Sequence, residues 1–97
     1  MNSQNTFLLK DAIRDFLNTY PFIKDKVNEN RIKDIWERLM GTMISNHTLA
    51  LFLRNGVLTI EVNSASLRTE LSYAREKIKN SLNNEIGENL ITDIRLK

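Results

Sequence analysis

Apolar residues recur along this chain with two different periods, and the change of period divides it into elements. Leu9, Ile13, Phe16, Leu17 and Tyr20 return to one face of a helical wheel, which predicts a helix over 6–19. Thr6 is placed to cap it. Pro21 ends it, because the residue before a proline is pushed out of the α region. Phe22, Ile23 and Val27 then suggest a short helical turn. A second apolar stripe, Ile32, Ile35, Trp36, Leu39, Met40 and Met43, predicts a helix over 31–43, with Asn28 or Asn30 as its cap. Gly41 sits near its end, where glycine is a cheap terminator.

Beyond Ser45 the period falls to two. Residues 48–54 and 57–63 read as strands joined by Asn55-Gly56. That pair is preferred in a two-residue type I′ turn, where both positions need positive φ. The turn sets the register: Arg54 opposite Val57, Leu53 opposite Leu58, Leu51 opposite Ile60 and Leu49 opposite Val62. One face of the hairpin is then wholly apolar, carrying Leu49, Leu51, Leu53, Leu58, Ile60 and Val62. The other carries Ala50, Phe52, Arg54, Val57, Thr59 and Glu61.

The helical period returns over 66–86. Leu67, Leu71, Ala74, Ile78, Leu82 and Ile86 form the inner stripe, Ser64 or Ser66 is the cap, and Gly87 follows the last turn. Residues 90–96 alternate again and predict a third strand. The order α-α-β-β-α-β, with amphipathic helices against one face of a small sheet, is that of an α+β two-layer domain. A chain of 97 residues has room for one core. The division expected is a single domain over 1–97, with residues 1–5 frayed, a helical segment over 6–29 and the core over 30–97.

Composition narrows the function classes. The chain is 41% hydrophobic and 27% charged, with a formal net charge of +2. That balance is ordinary for a globular protein and too weakly basic to imply nucleic acid by itself. Without cysteine, disulfides, thiolate chemistry and Cys-ligated zinc are excluded. His47 is the one histidine, so no His-rich metal site can form. No apolar run approaches the roughly 20 residues of a membrane span, and the N-terminus lacks the pattern of a signal peptide. The expectation is a cytoplasmic protein. No Gly-rich phosphate loop or nucleophile elbow is present, so neither enzymatic activity nor a cofactor is expected.

Four features bear on binding. His47-Thr48 opens the first strand, either as a polar contact point or as a turn whose side chains satisfy backbone groups. Trp36 lies on an apolar helix face and reads as a core anchor. Phe52 lies on the less apolar face of the hairpin beside Arg54. It either stacks on a base or partner, or is buried beneath the first helix. Arg68, Ser72, Arg75 and Lys79 recur at helical spacing along 66–86. They are either a solvated face, diluted by Glu70, Glu76 and Glu85, or a row of phosphate contacts.

The pattern of Trp36, Met40-Gly41, Ile44, His47-Thr48, Leu53, Gly56, Leu58, Ile60, Val62, Ser64, Glu70-Leu71, Gly87 and Ile94 resembles the DciA family, a bacterial family formerly catalogued as a domain of unknown function. The likeness runs from Ile32 to Leu96. The variant Ser64-Ala65-Ser66-Leu67-Arg68-Thr69-Glu70-Leu71 is similar to short, single-domain members. The resemblance implies a partner, the replicative DNA helicase, and a role in loading it onto single-stranded DNA. It also implies a K-homology-like fold and no catalytic residue. K-homology domains grip nucleic acid with a Gly-x-x-Gly loop, whereas Gly41-Thr42-Met43-Ile44 lacks the second glycine. The chain as given ends at Lys97, without the basic extension of many members. Other readings the residues allow are a single-stranded RNA or DNA binder without a helicase role, and a homodimer joined through a hairpin or terminal strand edge. The chain is read as a monomer or a homodimer.

Overall fold

A computed structural model of the chain describes residues 3–97. Helix α1 spans Ser3–Thr19 and helix α2 Pro21–Asn46. Strands β1, Thr48–Arg54, and β2, Val57–Val62, form the hairpin. Helices α3, Ala65–Tyr73, and α4, Arg75–Ile86, lead to strand β3, Asp93–Leu96. The architecture is α+β, with four helices and one three-stranded sheet among the described residues. Strand order is β1-β2-β3, with β1 antiparallel and β3 parallel to β2.

Pro21 does two jobs. It closes α1 and occupies the first turn of α2, where a missing N–H costs nothing. Only Tyr20 separates the two helices (φ −122°, ψ 80°). The second helix therefore begins ten residues before the expected 31, absorbing the short turn at Phe22. Asn28 and Asn30 lie within it rather than at its cap. At the chain start α1 takes in Ser3–Asn5, so Thr6 lies inside the helix rather than at its cap. Met1 and Asn2 lie outside the described residues. Gly41 interrupts α2 with φ 86° and ψ 168°. A Cβ there would meet nothing within 4 Å, so backbone conformation, not space, calls for glycine.

The hairpin turns at Asn55 (φ 51°) and Gly56 (φ 82°), and pairs Arg54 with Val57, Leu53 with Leu58 and Leu51 with Ile60. Gly56 is required twice over. Its φ is positive, and an added Cβ would stand 2.8 Å from Thr92 Oγ1. Register fails at one place. Val62 pairs with Thr48 instead of Leu49, because a bulge intervenes between Thr48 and Ala50. Leu49 is consequently 60% exposed and leaves the apolar face it was expected to join.

Two further expectations change. The helix expected over 66–86 is broken at Ala74 (φ −95°, ψ 11°), whose N–H is shared among the carbonyls of Glu70, Leu71 and Ser72. The buried residues Leu71, Ile78, Leu82 and Ile86 continue across the break, so apolar spacing does not reveal it. Strand β3 begins at Asp93 rather than 90. Asn83, buried on α4, donates from Nδ2 to the Ile91 carbonyl and accepts the Ile91 N–H at Oδ1, both at 2.9 Å. This clamp occupies the Ile91 backbone groups that a strand would need.

The core lies on one side of the sheet. Ile32 and Trp36 from α2, Leu71 from α3, and Ile78, Leu82 and Ile86 from α4 pack with Leu51, Leu53, Leu58, Ile60, Val62 and Ile94. Among the described residues no helix layer covers the opposite sheet face, which bears Phe52, Arg54 and Arg95, all exposed.

Candidate functional site

The strand that would be the free edge of the sheet, β1, is held by α2. Leu53 N–H donates to Glu29 Oε2 at 3.1 Å, and Asn55 N–H donates to Asp25 Oδ2 at 3.4 Å. Lys26 and Lys33 lie 3.4 and 3.3 Å from Glu29 Oε1. Burial pushes the Glu29 carboxyl up, but the Leu53 N–H and the two ammonium groups outweigh it, and its pKa falls below the ordinary value. A buried carboxylate thus covers an edge donor that could otherwise recruit another strand.

Several residues singled out in the sequence meet in one internal network. Trp36 is buried and its indole N–H donates to Thr48 Oγ1 at 3.0 Å. The Thr48 hydroxyl donates to the Ile44 carbonyl at 2.8 Å. Beside it, His47 Nδ1 and Asn63 Oδ1 are 2.8 Å apart, and Asn63 N–H donates to the His47 carbonyl. Trp36, His47 and Thr48 therefore join α2 to both ends of the hairpin. Gly41, Asn55 and Gly56 set backbone turns.

The basic stripe expected on one helix does not form a single row. Arg68 belongs to α3, and Arg75 and Lys79 to α4. Arg68 donates from Nη2 to the Val62 carbonyl at 3.3 Å, and its Nε is buried without a partner. Lys79 Nζ pairs with Glu76 at 2.9 Å. Arg75 is exposed. On the open sheet face, the pairings put Phe52, Thr59 and Arg95 in one row, and Arg54, Val57 and Asp93 in the next. Phe52 is 47% exposed, so it is not covered by α1. The Arg54 guanidinium carbon stands 5.6 Å from the centroid of Phe22, a cation–π contact. Glu61 and Asp93 balance the two arginines on this face.

Sequence reasoning missed two surfaces. The first is the α1 stripe. Of the residues grouped on one face of α1, Leu17 is half-buried, while Leu9, Ile13, Phe16 and Tyr20 are 50–58% exposed, because α1 packs chiefly against α2 and lies away from the sheet. The second is a crevice of about 430 Å³ between α1, α2 and the segment after α4, where Lys10, Arg14, Lys24 and Arg31 stand around the apolar Ile13 and Leu17. Periodicity shows neither, since both follow from the angle at Tyr20. Among the described residues, no group of three or more His, Asp or Glu converges as a metal site, and no helix is long and apolar enough to cross a membrane.

The profile of the family described as "Dna[CI] antecedent, DciA" matches residues 8–96. The chain belongs to the DciA family. UPF0232 proteins of two strains of Mycobacterium leprae, Br4923 and TN, are 24% identical over 71 residues, covering 73% of this chain and 38% of theirs. A UPF0232 protein of Corynebacterium glutamicum is 30% identical over 61 residues, covering 63% of this chain and 34% of its own. The chain thus spans less than two fifths of the length of these relatives. No solved structure matches it. The match to the DciA profile takes in α1 from Leu8 onward as well as the sheet, so the exposed stripe and the crevice lie within the family region.

Proposed function

We propose that this chain is a non-enzymatic binding module that contacts the replicative DNA helicase and assists its loading onto single-stranded DNA. Membership of the DciA family over residues 8–96 carries this reading, since that family consists of bacterial replication factors associated with the helicase. The α1 stripe supports a docking role. It is a row of large apolar side chains on one face of a helix with little packed against it, the form in which an amphipathic helix enters a partner's groove. Loading would then work by linkage. A module that binds the open or DNA-engaged helicase better than the closed ring shifts the population toward loading, and only by its difference in affinity.

The fold assigned within this reading is K-homology-like. Its support is the pair of parallel strands β2 and β3 joined through α3 and α4, with β1 beside β2. The three glycines, Gly41, Gly56 and Gly87, stand at no Gly-x-x-Gly spacing, so nucleic acid would be held in another way.

Biolayer interferometry with the purified helicase of the source bacterium tests the docking role. Binding in the micromolar range is expected, and the double variant Leu9→Asp, Phe16→Asp should weaken it about tenfold or more, as expected when anchor side chains leave an interface. No binding by the unaltered chain would overturn the helicase reading. Unchanged binding by the variant would overturn the assignment of the α1 stripe.

A further inference from the structure

We infer that the crevice between α1 and α2 is a nucleic-acid site that takes the phosphodiester backbone of a single strand. The inference rests on the binding-module reading and gives its nucleic-acid contact a place. Lys10 and Arg14 stand one helical turn apart on one wall, and Lys24 and Arg31 stand on the other. Glu88 is the one carboxylate lining the crevice. Counting also Asp11, which pairs with Arg14 at 3.3 Å, four cations stand against two carboxylates. The local charge of +2 makes this crevice attractive to a polyanion.

The cations are held in a way that leaves their charge free. Lys24 Nζ donates to Asn18 Oδ1 at 3.1 Å. Arg31 donates to Asn28 Oδ1 and to the Ile86 carbonyl, both at 3.2 Å. These acceptors are neutral. They orient the cationic groups without cancelling them, and Arg31 retains unused N–H donors for a phosphate. The Arg14–Asp11 pair is exposed and exchangeable at small cost. Several of the other basic groups are placed differently. Arg68 is spent on the Val62 carbonyl, Lys79 on Glu76, and Arg54 and Arg95 share their sheet face with Glu61 and Asp93. A trough with cationic walls tracks a sugar–phosphate chain without reading bases.

Fluorescence anisotropy on the full chain, with a labelled oligothymidylate of about 20 nucleotides at about 50 mM salt, tests this. The unaltered chain should bind. The double variant Arg14→Glu, Lys24→Glu should weaken binding about tenfold or more and flatten the plot of log affinity against log salt by about 1.4, two contacts at about 0.7 each. The double variant Arg75→Glu, Lys77→Glu on α4 carries the same change of charge outside the crevice and should stay within about twofold of the unaltered chain. Circular dichroism checks that the variants are folded. Lack of binding by the unaltered chain, or loss in the α4 variant but not in the crevice variant, would overturn the assignment. So would competition by polyglutamate as effective as that by unlabelled oligothymidylate, since the crevice would then be an acidic-peptide site. The same variants are run against the helicase. A crevice variant that loses the oligonucleotide but keeps the helicase supports the site. Helicase binding without oligonucleotide binding by the unaltered chain overturns the crevice alone and leaves the docking role standing.

Discussion

Replacing Glu29 separates the hydrogen bond that covers the sheet edge from the ion pairs around it. The carboxylate is 4% exposed and accepts the Leu53 N–H at 3.1 Å. Glu29→Ala removes the acceptor and leaves a buried donor unpaired. A hydrogen bond to a charged group contributes about 1.5–3 kcal/mol, and an orphaned buried donor costs about 1–3 kcal/mol. We expect a loss of roughly 3 kcal/mol, since these figures describe overlapping parts of one effect. Glu29→Gln retains a carbonyl acceptor and gives up only the lysine pairs. Lys26 and Lys33 are 57% and 49% exposed, and such pairs contribute about 0–1 kcal/mol, so roughly 1 kcal/mol is expected for this variant.

Urea unfolding followed by the fluorescence of Trp36, the one tryptophan and a buried one, reads both losses. The pH dependence supplies a second constraint. The folded pKa lies below the ordinary value of 4.5. Its contribution is therefore present above the unfolded pKa and is lost as pH falls through the folded one. The stability gap between the unaltered chain and Glu29→Gln should shrink as pH falls from about 7 to about 3. Equal losses in the Ala and Gln variants, or a gap that widens on acidification, would refute the assignment of Glu29 as the Leu53 acceptor.

Substitutions at three other positions probe the frame around the candidate sites. Asn83→Ala removes both bonds to Ile91 and should cost about 2–4 kcal/mol in urea unfolding, while Asn83→Asp, which cannot donate to the Ile91 carbonyl when ionised, should restore only part of it. Gly56→Ala should cost about 1–2 kcal/mol through positive φ and displace the Thr92 hydroxyl, seen as amide shifts at Gly56 and Thr92 by NMR. Leu49→Lys should change stability by less than about 0.5 kcal/mol because the side chain sits on the bulge in solvent; a loss above about 2 kcal/mol, as for a core leucine, would restore the unbulged register.

The local geometry of the hairpin was legible because it is encoded locally. Asn55-Gly56 accepts the positive φ values of a type I′ turn, and the leucines on either side alternate in step with it. The Pro21 boundary was legible for the same reason, since a ring without an N–H acts on its nearest neighbours. Apolar spacing also named most of the core on α2, α3 and α4, because a helix must turn its apolar face inward wherever it packs.

What escaped depends on groups far apart in sequence. The bulge at Leu49 arises where β1 leaves a turn fastened by Trp36, Thr48 and Asn63, and the start of β3 is delayed by a side chain eight residues away. Glu29 looks like a solvated helix residue until the fold brings Leu53 to it. Arg68 and Arg75 read as one row until Ala74 breaks the helix. The stripe on α1 has the spacing of a buried face and lies in solvent, and the four cations of the crevice come together only through the angle at Tyr20. Local sequence sets period, turns and caps. The direction in which α1 leaves Tyr20 is set by packing against α2, and that direction decides which apolar and basic residues are free to meet a partner.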